Sequence, residues 1–114
     1  TYRTLIYPDY LEKDGFTVLQ PEEDEQRELV HAAIYDPVYG IKAVGTGTER
    51  SRGDLLKAAR LLIGRGAQAV VLGCTEIPLA IPDKAIDGLP AIDPTLILAR
   101  ALVREADPIK LRLL

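Results

Sequence analysis

One segment constrains the fold of this chain more than any other. Residues 69–78 read Ala-Val-Val-Leu-Gly-Cys-Thr-Glu-Ile-Pro, a short β-branched apolar run that ends in Gly and is followed by the only cysteine. Such a run is typical of a buried parallel strand, and α/β proteins place their sites at the carboxyl ends of these strands. We therefore expect the Cys74 thiol at a sheet edge, where backbone N–H groups of the next turn can stabilise a thiolate.

The composition indicates one ordinary globular domain. The chain has 114 residues, of which 47% are hydrophobic and 27% charged, enough for a modest core. Its net charge of −3 gives no reason to expect nucleic acid or an anionic membrane as a partner. No apolar run approaches the roughly 20 residues that span a bilayer, and no signal pattern opens the chain. A single cysteine excludes an internal disulfide, favours a cytoplasmic location and argues against a thiolate-rich zinc site.

Periodic apolar residues predict helices, and short apolar runs predict strands between them. The predicted helices cover residues 8–13, 22–35, 51–63 and 94–105. The predicted strands cover residues 16–19, 68–72 and 91–92. The predicted connections are residues 38–50, with a helical turn near 41–43, and residues 78–88. We expect Ser51 and Asp93 to cap the last two helices. We expect Ile97, Leu98, Ala101 and Leu102 to face inward.

Alternating helices and strands predict an α/β fold, with a small parallel sheet flanked by helices. Because the chain begins on a helix, we expect a further strand in front of Thr1. The sequence contains no methionine, so we also expect residues 1–114 to be one α/β domain of a longer chain.

Cys74 is the main candidate for chemistry. A lone cysteine is most often a small buried hydrophobe, but a core cysteine would fit better inside the apolar run than after its terminal glycine. A thiol with a pKa of ~8.5 must be partly ionised to act as a base or nucleophile, so we expect surroundings that favour the thiolate. Thr75 can hold an oxyanion or cap the next turn, and Glu76 can bind a substrate ammonium or lie in solvent.

Two other polar features have structural interpretations. His31 is interpreted as a half-buried histidine beside the apolar stripe of the second helix. The acidic run 22–25 is interpreted as a solvated helix N-terminus, where carboxylates interact favourably with the helix dipole. Neither feature predicts a metal site.

Residues 71–78, Val-Leu-Gly-Cys-Thr-Glu-Ile-Pro, resemble the second-half cysteine motif of the aspartate/glutamate racemase family. Further segments of the family agree in order and spacing, and they are residues 21–26, 34–35, 65–67 and 92–94. The resemblance covers most of the chain, and the Cys-Thr-Glu block together with the downstream Ile-Asp-Pro is its most specific part.

The resemblance implies a cofactor-independent racemase built from two similar α/β halves with the active site between them. A cysteine from each half faces one side of the α-carbon of a small amino acid or dicarboxylic acid. One thiolate removes the α-proton and the other thiol returns a proton, without pyridoxal phosphate or metal. This chain would be the C-terminal half, and the N-terminal half with its own cysteine would be missing.

Carried over residue by residue, the resemblance assigns three roles around the cysteine. Cys74 would be one of the two acid/bases, Thr75 would bind the substrate carboxylate, and Glu76 would lie beside Cys74 and the substrate amino group. Thr1 and Thr4 would end the family's Gly-Thr-x-x-Thr substrate-binding segment. Lys42 would match a lysine that holds the side-chain carboxylate in some members, the alternative being a solvated loop lysine.

Two other functions stay open from the sequence. A related cysteine-dependent decarboxylase or cis-trans isomerase would keep the fold and use a second-half cysteine as proton donor or nucleophile. A non-catalytic half-domain is the third possibility. It would expose an open sheet edge and apolar surface, which a homodimer or a larger assembly could cover.

Overall fold

The structure, a computed structural model, describes residues 6–113. Its helices are α1 (Ile6–Leu11), α2 (Glu23–Glu25, Gln26–His31 and Ala32–Tyr35 in succession), α3 (Ile41–Val44), α4 (Glu49–Gly64), α5 (Ile77–Ala80) and α6 (Pro94–Ala106), and its strands are β1 (Val70–Val71), β2 (Ala85–Ile86) and β3 (Leu89–Ile92). The predicted α/β class is confirmed, while the strand expected in front of Thr1 would lie outside the described residues.

The sheet is mixed rather than wholly parallel, and its strand order is β1-β3-β2. β1 pairs in parallel with β3, and the ladder continues into a bond from the Leu72 N–H to the Ile92 carbonyl at 2.8 Å. β2 pairs with β3 in antiparallel fashion. Asp87 and Gly88 join these two strands with φ of 50° and 80°, the left-handed conformation that tight hairpins require.

Helix α2 confirms the predicted helix over 22–35, with a π-helical middle segment. Its start is fixed by a reciprocal pair of bonds, in which the Glu22 N–H donates to the Glu25 carboxylate at 2.9 Å. Arg65 donates to both Glu25 oxygens at 2.8 and 2.7 Å. The acidic run is therefore a helix start, but Glu25 is paired with Arg65 and is not simply solvated.

Helix α4 begins earlier than the sequence predicts, because Thr48 rather than Ser51 is its N-cap. The Ser51 N–H donates to Thr48 Oγ1 at 3.0 Å, and the Thr48 N–H donates to Ser51 Oγ at 2.8 Å. Ser51 is thus the N3 residue of the capping box, and its side chain is fully buried. Asp93 does cap α6 as predicted, by accepting from the Thr95 N–H at 3.0 Å.

The hydrophobic core lies between α2, α3, α4, β1 and α5. Its buried members are Ala33, Ile34, Ile41, Leu55, Ala59, Val70, Leu72, Ile77, Ala80, Ile81 and Ile86. Ile41 and Ile81 are the largest side chains that lose essentially all contact with solvent. Because these residues come from every element around the cysteine, the same packing that stabilises the domain also holds the end of β1 in place.

Three further predictions about local structure are wrong. Residues 16–19 form no strand, and Phe16 is 62% exposed. The expected loop at 78–88 instead contains the end of α5 and all of β2. Helix α6 has no buried residue, and Leu98 and Leu102 of its predicted inward face are 60% and 61% exposed. Within residues 6–113, no helix has the length and apolar character needed to span a bilayer.

Two contacts attach α5 to the rest of the domain. Arg52 of α4 donates to both Asp83 oxygens at 2.6 and 3.0 Å, and also to the Ala80 carbonyl at 3.1 Å. The Gly47 backbone lies so close to α5 that a Cβ atom on Gly47 would be 2.5 Å from the Ala80 Cα. The segment after α3 and the start of α4 therefore both contact α5, the helix that follows the cysteine.

Candidate active site

Cys74 lies in the turn between β1 and α5, as the sequence predicts. The Cys74 carbonyl accepts from the Ile77 N–H at 3.1 Å, so the thiol-bearing residue begins the turn that leads into α5. Its side chain is half-buried and packs against the edge of the hydrophobic core. The sulfur therefore lies at the boundary between the core and a polar cluster, rather than within apolar packing.

The polar cluster is centred on the Glu76 carboxylate. Cys74 Sγ donates to Glu76 Oε2 at 2.9 Å, and Thr75 Oγ1 donates to the same oxygen at 3.0 Å. Lys42 Nζ of α3 lies 3.4 Å from the other oxygen, Oε1. The structure thus brings together Cys74, Thr75, Glu76 and Lys42, although Lys42 is far from the motif in sequence.

Aromatic side chains of α2 lie on the far side of Lys42. Its ammonium is 5.2 Å from the centroid of the Tyr35 ring, close enough for a cation–π interaction. The Tyr35 ring in turn lies 4.6 Å from the His31 ring, centroid to centroid. Tyr35 therefore contacts the cluster through Lys42, and the sequence analysis assigned it no role at the site.

The hydrogen bonds and charges of the cluster shift the pKa values of Glu76, Cys74 and Lys42 in different directions. The bond from the Cys74 thiol, then the bond from Thr75, and also Lys42 lower the pKa of Glu76 to about 2. Burial, followed by the bond to the Glu76 carboxylate, raises the pKa of Cys74, while the Glu76 N–H and Lys42 act in the opposite direction. Glu76, first and foremost, raises the pKa of Lys42.

At neutral pH the cluster therefore holds a thiol, a carboxylate and an ammonium. The expectation that the surroundings of Cys74 favour the thiolate is wrong for this resting state, because partial burial and the nearby carboxylate both disfavour a second negative charge. A thiol is ready to donate a proton.

Removal of the Glu76 charge and removal of the Lys42 charge should shift the pKa of the Cys74 thiol in opposite directions. Glu76→Gln should lower the pKa of Cys74 and speed its alkylation by iodoacetamide at neutral pH, because a carboxylate that opposes ionisation is lost. Lys42→Met should raise the pKa and slow the reaction. The pH profile of the alkylation rate measures both shifts, because Cys74 is the only cysteine.

Glu28→Gln is the matched control, because Glu28 is a solvent-exposed carboxylate of α2 that pairs with Arg27 at 3.6 Å. It should leave the profile unchanged. An unchanged or raised thiol pKa in Glu76→Gln would contradict the hydrogen bond between Cys74 and Glu76.

The other residues that the sequence analysis assigned to the site are Thr1, Thr4, Thr75 and Lys42. Thr1 and Thr4 lie outside the described residues. Thr75 is exposed, and its hydroxyl bonds to Glu76 in this state. Lys42 lies in the helical turn α3 and is paired, so it differs from a free loop lysine. In the part of the chain that the structure describes, no group of three or more His, Cys, Asp or Glu side chains is placed to hold a metal ion.

A cleft of about 600 Å³ lies beside α6. Its walls come from the sheet, the loop after α5 and the exposed face of α6, and they include Leu72, Ile81, Ile97 and Arg100. Cys74 is not among the described residues that line it, although Leu72 precedes it closely in the chain. The cleft and the polar cluster are therefore separate features of this domain.

The end of β1, the Cys74 thiol and the Glu76 carboxylate thus lie together around one turn. A family model described as Asp/Glu/Hydantoin racemase matches residues 1–102. The chain belongs to this family. The match includes all the elements that form the polar cluster, from α2 to α5, and most of α6. No solved structure matches the chain. Membership of the racemase family indicates an isomerase-type superfamily that acts on small amino acids or related compounds.

Proposed function

We propose that this domain is one half of a cofactor-independent amino-acid racemase of the aspartate/glutamate type, with Cys74 as one of its two acid/bases. The supporting observation is the bond from Cys74 Sγ to Glu76 Oε2 at 2.9 Å, in the turn that follows strand β1. It places a titratable thiol beside a carboxylate that can respond to the charge of a substrate. A core cysteine would have only apolar neighbours.

The proposed reaction removes one proton from Cα and returns another to the opposite face, without any change of oxidation state. A thiolate takes the proton from Cα, and the electron pair of the C–H bond stays on the substrate as a carbanion delocalised into its carboxylate. A thiol on the opposite face then donates a proton to Cα and is left as a thiolate. Because an α-proton is very weakly acidic, the site must stabilise the carbanion with fixed donors and exclude water.

The charges of the cluster suit an amino-acid zwitterion. The substrate ammonium would bind near Glu76 and weaken the effect of that carboxylate on Cys74, which lowers the thiol pKa when substrate is present. Lys42, whose side chain is 48% exposed, and the Thr75 hydroxyl would bind a carboxylate. In this proposal the substrate itself shifts Cys74 from acid to base.

Two-sided proton transfer needs a second acid/base, and Cys74 is the only cysteine of the 114 residues. We propose that the second thiol comes from an N-terminal half-domain that faces this one across the substrate. We therefore expect no measurable racemisation from the purified 114-residue chain, measured by chiral chromatography of aspartate and glutamate. Turnover by this chain alone would contradict the two-half arrangement and indicate that a homodimer pairs two copies of Cys74.

The decisive test is solvent deuterium incorporation at Cα, measured by mass spectrometry on each enantiomer of aspartate and glutamate with the intact racemase. Incorporation that accompanies inversion supports the proposal. Absence of exchange with every small amino acid tested would overturn it.

One observation favours a second candidate. Burial, and then the bond from the thiol to the Glu76 carboxylate at 2.9 Å, raise the pKa of Cys74, which favours the protonated thiol that a cysteine-dependent decarboxylase needs to protonate a carbanion after loss of CO₂. Such an enzyme, or a cis-trans isomerase that uses the sulfur as nucleophile, would need only one cysteine. Release of CO₂ from a substituted malonate, without deuterium exchange into amino acids, would distinguish the decarboxylase from the racemase.

A further inference from the structure

A second aromatic side chain lies beside the candidate site, against Gly73. A Cβ atom placed on Gly73 would be 3.2 Å from Cε2, 3.7 Å from Cζ and 3.8 Å from Oη of Tyr7. These three are the nearest atoms to that position outside the adjoining residues, and all belong to one ring. The hydroxyl edge of Tyr7 therefore occupies the space that any side chain at position 73 would need.

Tyr7 comes from α1, the element most distant in sequence from the cysteine. The same helix carries Tyr10, whose side chain is 69% exposed and lies under the Lys13 ammonium at 5.3 Å. Tyr7 is instead half-buried. One tyrosine of α1 thus faces solvent and the other faces the residue that immediately precedes Cys74.

We propose that Tyr7 borders the approach to Cys74 and limits the size of the molecules that reach the sulfur, and that Gly73 is required there to admit the ring. That these molecules are small amino or dicarboxylic acids rests on the proposed function, whereas the restriction of access does not. A rigid ring one residue from the thiol restricts bulky ligands without contributing a charge, so Tyr7 is a specificity-determining residue.

Paired alkylation rates of the chain test this proposal directly, because every modified thiol is Cys74. The two probes are iodoacetamide, which is small, and fluorescein-5-maleimide, which is bulky. Tyr7→Ala should raise the ratio of the bulky to the small rate by about an order of magnitude, since reaction requires access to the thiol as well as its ionisation. Tyr7→Phe keeps the ring and should leave the ratio unchanged.

Tyr10→Ala is the matched control on the same helix, and it should also leave the ratio unchanged. Gly73→Ala should change the ratio in the same direction as Tyr7→Ala, because its methyl group would displace the ring. Using the ratio of two rates at one pH cancels any shift in thiol pKa, which alters both rates together.

A wild-type ratio in folded Tyr7→Ala and Tyr7→Leu would overturn the proposal. So would loss of folding in both variants, seen by circular dichroism, since that would assign the ring to the stability of the domain rather than to access. Failure of the proposed racemisation has a different signature: deuterium exchange is absent while the alkylation ratio still depends on Tyr7.

Discussion

Under the proposed function, Cys74→Ser should abolish deuterium exchange at Cα from at least one enantiomer of aspartate or glutamate when this domain is assayed together with the proposed N-terminal half. A serine hydroxyl is a far weaker acid than a thiol, so it does not ionise beside the Glu76 carboxylate. Loss of a positioned acid/base typically lowers a rate by about 10²–10⁴-fold, which makes this the largest effect expected from a single substitution. Mass spectrometry of each enantiomer after incubation in D₂O measures it.

Asymmetry between the enantiomers is the informative part of that experiment. If Cys74 serves one face of the substrate, exchange that starts from the enantiomer presented to the other thiol can persist at a reduced level. Glu28→Gln is the control and should keep both exchange rates, because that exposed carboxylate of α2 pairs with Arg27 at 3.6 Å and is not part of the polar cluster. Retention of both wild-type exchange rates in Cys74→Ser would remove Cys74 from the mechanism.

The chemistry around the cysteine could be predicted because it is local. The strand end and the turn are defined by an apolar run, a glycine and then Cys74, Thr75 and Glu76. Because these three residues are consecutive in one turn, their side chains lie close together. The structure places Cys74 and Thr75 on one Glu76 oxygen, which keeps all three in a single cluster. What the sequence does not contain is the direction of the thiol pKa, because burial dominates it and burial is a property of the fold.

The contacts of Lys42 and Tyr35 could not be predicted from local sequence, because they join segments that are distant in the chain. Their contacts with the cluster depend on how α2 packs on α3 and how α3 packs on α5, and such packing is not encoded in the spacing of either residue from Cys74. Asp87-Gly88 is different, since this pair is a strong hairpin signal that the sequence did contain. The antiparallel β2–β3 pair was therefore within reach of prediction, whereas the contact between Lys42 and Glu76 was not.

The exposed face of α6 shows a third kind of limit. The periodic spacing of Ile97, Leu98 and Leu102 correctly predicts a helix, because periodicity reports which side chains share a face. It does not report whether anything covers that face. The same holds for Phe16, whose apolar neighbours suggested a strand although the described residues offer that segment no sheet partner.

Gly47→Ala should destabilise the domain strongly. The added methyl carbon would lie 2.5 Å from the Ala80 Cα and 2.6 Å from the Leu79 carbonyl oxygen, and backbone atoms of α5 cannot move aside as the end of a flexible side chain can. Overpacking of this kind lowers the free energy of unfolding by about 1–3 kcal/mol. Urea denaturation followed by circular dichroism measures the loss.

Gly53→Ala is the matched control, with the same chemical change in the interior of α4. No atom lies within 4 Å of a Cβ placed there, so replacing a helical glycine should raise the free energy of unfolding by about 0.5–1 kcal/mol. The two variants should therefore move the urea midpoint in opposite directions. Equal midpoints would show that the segment after α3 is not packed against α5.

The same pair of variants connects stability to the site. Gly47 follows α3, which carries Lys42, so a methyl group that separates this segment from α5 also separates Lys42 from Glu76, now 3.4 Å apart. Because Lys42 lowers the pKa of Cys74, its withdrawal should raise that pKa and slow alkylation at neutral pH in Gly47→Ala, as in Lys42→Met. Gly53→Ala should keep the wild-type profile. A destabilised Gly47→Ala whose thiol titrates like the wild type would mean that α3 holds Lys42 in place without the help of the Gly47 contact.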